Sequence, residues 1–270
     1  MPRWLAVAFL FLVACRRPPA AENKPAAVAE PAPKVEIELE ETKPAPPATV
    51  EKLLVPGDTV ASIVRSADGK APLSVFVGGV CSNAGAYLWS FREAAQKAGG
   101  VVALEGDQPC GPGASSDYHT FSWDASRLHA RIEAALAASG VMEIPKEGIT
   151  LVGYSQGAAL GEQLAARHPG RYARVVVIAS PRDPSPASFA KSRALVTMAC
   201  DREVTARMRQ AAAATKRLGT PATYLEMPGC IHGQVGDGER LFGEAFDWLA
   251  ANEKPLDPTA KPTRIAGAPN

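Results

Sequence analysis

The chain has almost no net charge: 29 lysines and arginines stand against 28 aspartates and glutamates, leaving +1. With no basic surplus and no visible basic patch, nothing implies a nucleic-acid partner. It also lacks an apolar run of the roughly 20 residues that a spanning helix needs. The apolar stretch from Trp4 to Ala14 is only eleven residues long. No internal repeat is visible. Five cysteines are present, but none of their separations resembles the C-x₂-C knuckles of a tetrahedral zinc site, so no metal or other cofactor is expected. Histidine is scarce, at four, so few residues can serve as a neutral-pH base. Apolar residues are not scarce: 46% of 270 residues can bury the core of one domain of about 200 residues.

The most informative segment is Gly153-Tyr154-Ser155-Gln156-Gly157. It follows the apolar run 149–152 and opens a helix-like stretch over 158–167. Strand, sharp turn and helix form the context in which G-x-S-x-G acts as a nucleophile elbow, with the serine hydroxyl raised above the sheet edge. Glycines at 153 and 157 let the turn tighten and the helix pass the strand without a Cβ clash. The plain alternative is that Ser155 is a small residue in a strand-helix turn.

A serine hydroxyl needs a base, and the base needs an orienting group. The elbow resembles that of α/β-hydrolases, where the acid and then the histidine follow the serine, so the search runs downstream of Ser155. His119 and His129 lie upstream. His168 sits where proline and glycine stop a helix, a place for capping carbonyls. His232 remains, in a glycine-bounded loop after the strand-like run 222–227, and is the expected base. For the acid, Asp201 directly follows the buried-strand pattern 194–200 and is preferred over Asp183, which sits in a Pro-Arg-Asp-Pro turn. Helix capping is the competing role for Asp201, because a helical stretch is predicted from Glu203. The oxyanion donors are expected to be the backbone N–H of Gln156 and one from the loop 78–81. Val80 is the first choice and Cys81 the second.

At the N-terminus, Arg3 and the short apolar stretch read as an export signal. Leu12-Val13-Ala14-Cys15 resembles the bacterial lipobox, which implies diacylglyceryl attachment at Cys15 and anchorage in the cell envelope. Arg16 as the second residue is compatible with outer-membrane sorting, on either face. Residues 16–50, rich in proline, alanine and glutamate, read as an extended tether that cannot offset its ordering entropy. The hydrolase domain is expected over 51–251, followed by a loose tail, 252–270. Export permits disulfides among Cys81, Cys110, Cys200 and Cys230, which allow three pairings. If the last two strands are neighbours, a Cys200–Cys230 bridge would tie the loop of Asp201 to that of His232. Buried, inert thiols are the alternative.

Apolar runs at 73–79, 101–104, 149–154, 174–179, 194–199 and 222–227 alternate with helix patterns at 87–97, 124–139, 156–168, 203–217 and 238–251. Residues 53–65 could add one or two leading strands. The alternation predicts a mostly parallel sheet with helices on both faces. Together with the elbow, Asp201 and His232, the chain over about 72–251 resembles an α/β-hydrolase of the esterase or thioesterase kind. Gly78-Gly79 stands where that family commonly carries His-Gly. The interval from Ser180 to Arg193 is only fourteen residues, so no cap domain is expected. The resulting open site would be lined by Tyr87, Trp89, Tyr118, Phe121 and Trp123, unless those aromatics pack beneath the loops. The expected reaction is acyl transfer from a small-molecule ester or thioester to water. A serine peptidase on the same scaffold and a non-catalytic surface-binding lipoprotein are the alternatives.

Overall fold

The computed structural model describes residues 46–265. The signal segment, Cys15 and most of the tether lie outside them. The predicted apolar runs become a single eight-stranded sheet. Its members in chain order are β1 (Glu51–Leu53), β2 (Ala61–Arg65), β3 (Ser74–Val77), β4 (Gly100–Leu104), β8 (Ile149–Tyr154), β9 (Tyr172–Ile178), β10 (Ala194–Cys200) and β11 (Ala222–Met227). Four two-residue strands complete the set: β5 (Gln108–Pro109) pairs with β6 (His119–Thr120), and β7 (Glu143–Ile144) pairs with β12 (Thr263–Arg264). The helices are α1 (Ala84–Trp89), α2 (Arg92–Lys97), α3 (Ala125–Ala138), α4 (Gln156–Arg167), α5 (Ala206–Arg217) and α6 (Gly238–Asn252).

The sheet runs β1-β2-β4-β3-β8-β9-β10-β11, with β2 antiparallel to both of its neighbours and every other pair parallel. Strand residues are buried on both faces because successive side chains enter opposite cores. Val75, Leu151, Val175 and Val177 join one core, with α3, α4 and part of α5. Phe76, Val152, Val176 and Ile178 join the other, with α1, α2 and α6. After β3 the chain steps to β4 on one side and later returns as β8 on the other. That reversal leaves a crevice beyond the C-terminal ends of β3 and β8, where ligands of open α/β sheets bind.

Three sequence expectations change. The helix predicted over 87–97 is two helices, broken at Ser90 and Phe91, where the Ser90 hydroxyl donates to the Tyr87 carbonyl at 2.6 Å. Gly238, opening α6, lies so close to the Ser90 carbonyl that a Cβ there would overlap it. The helix expected from Glu203 begins at Ala206 instead, because residues 201–205 turn beside the sheet edge. The tail predicted as loose is packed as far as residue 265. Glu253 pairs with Arg174 and Arg193, β12 adds to β7, and Ile265 is buried in the core.

Candidate active site

Ser155 sits between β8 and α4 with φ 52° and ψ −112°, a conformation that an L-residue holds only under constraint. Its N–H donates to the Ile178 carbonyl at 2.8 Å. The flanking glycines are sterically required. A Cβ on Gly153 would overlap the Gly157 carbonyl oxygen, and one on Gly157 would overlap the Val77 carbonyl oxygen. The predicted elbow geometry is therefore present.

His232 lies in the loop after β11 and places its imidazole against the serine, with Nε2 2.9 Å from Ser155 Oγ. Its Nδ1 is 2.9 Å from Glu203 Oε2. The acid that meets the histidine is thus Glu203, and this corrects the placement expected of Asp201. Asp201 does emerge at the end of β10, but its Oδ2 accepts the Gly229 N–H at 2.9 Å and so holds the base of the histidine loop. Two residues further on, the longer glutamate side chain spans the gap to the ring. Asp183 is 86% exposed and faces Arg207 at 3.5 Å. The sequence signal that could have found Glu203 was weak: it is a second carboxylate in the same post-strand loop, read there as the start of a helix.

The loop 78–81 lies directly against the serine, since a Cβ on Gly79 would stand 3.1 Å from Ser155 Cβ. Ser82 Oγ donates to the Gly79 carbonyl at 2.9 Å and fixes the loop from behind. Among the described residues, no backbone carbonyl takes the N–H of Gln156, one expected donor, or of Val80 and Cys81, the first and second choices for the other. The Gln156 side chain, 2% exposed, has a separate job. It accepts from Thr120 Oγ1 and the Phe121 N–H and donates to the Phe121 carbonyl, pinning β6 beside the elbow.

Two disulfides are present. Cys81–Cys110 ties the loop 78–81 to the β5–β6 hairpin, and Cys200–Cys230 ties the loop of Glu203 to that of His232, as the neighbouring late strands suggested. The histidine loop is further held by tyrosines. Tyr154 Oη accepts the Gly233 N–H at 2.7 Å and donates to the Gln234 carbonyl at 3.3 Å, and Tyr87 Oη donates to the Gly233 carbonyl at 2.9 Å. Burial, with Tyr118 nearby, pushes the Tyr87 hydroxyl up to about 12, and burial also raises that of Tyr154. Both phenols therefore stay neutral donors. The role of Tyr154, the first of the two variable residues of the elbow motif, was not visible in sequence.

Shallow depressions of about 320 Å³ border the histidine loop on two sides. One is lined by Val80, Tyr87, Tyr118 and Val235, the other by Pro181, Glu203, Val204 and His232. Of the five aromatics expected to line the site, Tyr87 and Tyr118 do so. Phe121 is 3% exposed and belongs to the core, where its ring lies under Arg131. Trp89 is on the surface beneath Arg92, and Trp123 is exposed ahead of α3; neither borders these depressions. Among the described residues no group of histidine, cysteine and carboxylate side chains could hold a metal ion.

Residues 74–269 match the model of the alpha/beta hydrolase family. Solved structures with the same arrangement include esterase PE8, at 18% identity and TM-score 0.52, matched over 70% of this chain and 97% of that one. A predicted CIB-like hydrolase from Thermoplasma acidophilum aligns at 15% identity and TM-score 0.56, over 76% and 99% of the two chains. A hyperthermophilic esterase from the archaeon Pyrobaculum calidifontis aligns at 17% identity and TM-score 0.53, over 75% and 85%. At such identities the likeness establishes a shared fold. No curated protein sequence matches this chain.

Proposed function

This chain belongs to the alpha/beta hydrolase family, and from that premise we propose that it is a serine hydrolase cleaving carboxylic esters or thioesters through an acyl-enzyme on Ser155. The observation that carries the reading is the imidazole of His232, held 2.9 Å from Ser155 Oγ on one side and 2.9 Å from Glu203 on the other. In this reading Ser155 Oγ attacks the substrate carbonyl while His232 Nε2 takes its proton. Glu203 stays ionised, fixes the ring with Nδ1 protonated and stabilises the imidazolium. The backbone N–H groups of Gln156 and Val80 receive the oxyanion, which needs donors already in place when charge develops. His232 then returns the proton to the departing oxygen or sulfur, and water repeats the sequence on the acyl-enzyme. Two of the solved relatives are esterases by name, which favours an ester over an amide as the scissile bond.

A fluorophosphonate probe should label Ser155. Ser155→Ala should abolish labelling and lower kcat on p-nitrophenyl acetate by roughly 10⁴-fold or more. Unchanged hydrolysis by that variant would overturn the proposal, and preferential cleavage of p-nitroanilides by the parent would redirect it to a peptidase. The proposal extends to the lipobox-like Leu12–Cys15, read as the attachment point of an envelope lipoprotein. Labelled palmitate should enter the parent chain in a bacterial host and not Cys15→Ala; equal labelling of both would remove the anchor.

A further inference from the structure

At the end of the sheet opposite Ser155, where β8, β9 and β10 begin, residues 144–146, 168–171, 190–193 and 254–263 enclose a hollow of about 710 Å³. It is more than twice the volume of either depression beside His232. Its charge is one-sided. Two of its cations are neutralised structurally: Arg193 by Glu253 at 2.9 Å, and Arg171 by Glu133. Four ammonium groups remain: Lys146, Lys191, Lys254 and Lys261. None of them is in ion-pair contact with a carboxylate among the described residues. Lys254 Nζ donates only to Thr220 Oγ1 and the Ala190 carbonyl. The single acid of the lining, Asp257, accepts hydrogen bonds from the hydroxyl and N–H of Thr259, with Lys191 near enough to help hold its carboxyl below the usual carboxylate range but not in ion-pair contact.

The chain as a whole carries only +1, so this surplus is local and not the overflow of a basic protein. The hollow also gathers like charges at some cost. Burial and then the neighbouring Lys191 hold the Lys254 ammonium below the usual lysine range. Surface lysines normally spread away from one another. Here they are held around a concavity by the returning segment 253–265, whose Pro255 and Leu256 give the wall an apolar part beside Ile144.

We propose that this hollow is a second site, distinct from the triad, that binds a phosphate-bearing anion of two or more negative charges. The same chemistry could arrive as a soluble phosphate compound or as the headgroups of an anionic lipid surface, and the test separates them. The full chain carrying Cys15→Ala is used, so that no acyl group can bring it to a bilayer. Its thermal unfolding is followed with and without inorganic pyrophosphate, and its sedimentation is followed with vesicles of phosphatidylglycerol or of phosphatidylcholine. The expected result is a rise in unfolding temperature with pyrophosphate, or co-sedimentation with phosphatidylglycerol vesicles only, that fades as salt is raised. The double variant Lys191→Glu/Lys261→Glu should bind about tenfold more weakly or worse, since each basic residue at an anionic surface contributes appreciably. Its p-nitrophenyl acetate hydrolysis should stay at the parent rate, which also shows that it is folded. A response to pyrophosphate alone assigns a soluble ligand, and a response to vesicles alone assigns a lipid surface. Absence of both responses in the parent, or their survival undiminished in the double variant, overturns the proposal.

Discussion

Three non-glycine residues among those described hold a positive φ: Cys81 at 51°, Ser155 at 52° and Ala179 at 48°. They follow β3, β8 and β9, which are adjacent in the sheet, so the strain is concentrated along one rim. Such conformations cost of order 1–3 kcal/mol each and persist only where surrounding bonds dictate them. Here the ties are the Cys81–Cys110 bridge, the Ser155 N–H to Ile178 and the Ala179 N–H to Met198. At the same scale lies the choice between carboxylates. Because Glu203 and not Asp201 meets the imidazole, Glu203→Gln should lower kcat by about 10²–10⁴-fold on an activated ester, through loss of tautomer control and of imidazolium stabilisation. Asp201→Asn retains an acceptor for the Gly229 N–H and should change kcat by only a few-fold. Steady-state kinetics on the two variants decides the matter, and a reversed ranking would return the acid to Asp201.

The loop 228–236 has little regular structure of its own, yet it holds His232 Nε2 2.9 Å from Ser155 Oγ. It achieves this through neighbouring elements. Tyr154 at the end of β8 and Tyr87 on α1 bond to its backbone, and Cys200 at the end of β10 bonds to Cys230. A bridge separated by 30 residues contributes about 3–4 kcal/mol in the chain-entropy picture. Cys200→Ser/Cys230→Ser should therefore unfold at lower denaturant. Even at a temperature where near-ultraviolet circular dichroism shows it folded, its kcat should fall by a larger factor than its KM changes, because the bridge joins the loops of Glu203 and His232, the proposed acid and base. Full activity in the folded, bridge-free variant would reduce the disulfide to a purely global role.

On the scale of the molecule, the sheet separates two proposed sites, that of Ser155, His232 and Glu203 at the strand ends and the lysine-lined hollow at the strand starts. Between α3 and the C-terminus of α4, His129 stacks on His168 at 3.7 Å, and its Nδ1 lies 2.7 Å from Tyr172 Oη. His168 thus stacks on a ring where sequence suggested that it caps carbonyls. Burial, and then His168, push His129 down to about 4, while burial and Arg171 lower His168. The unfolded chain takes up these protons near pH 6.5 and the folded one resists them. Stability should therefore fall as pH drops from about 6.5 towards 4, with no pH dependence from the pair above that window. Urea midpoints measured across the window should fall less for His129→Gln than for the parent. Equal slopes would show that other groups control the acid sensitivity.

The order of apolar runs was enough to determine the sheet and the helices on both faces, and the G-x-S-x-G turn with the resemblance to α/β-hydrolases singled out Ser155 and His232, which the fold brings to 2.9 Å of each other. The runs and the turn rest on local properties, periodicity 2 or 3.6 and a geometry that only glycine permits; the place of the base after the last strand is what the resemblance implied. What sequence misplaced depends on distances between segments far apart in the chain. Whether Asp201 or Glu203 reaches the ring turns on the path of five loop residues held by a disulfide. Whether Phe121 or Trp89 faces the crevice turns on how hairpin and helix dock, and the tail's return to β7 depends on partners about 120 residues away. Side-chain type is written in the chain, but its direction of approach is set by packing, and only the folded tertiary structure supplies that.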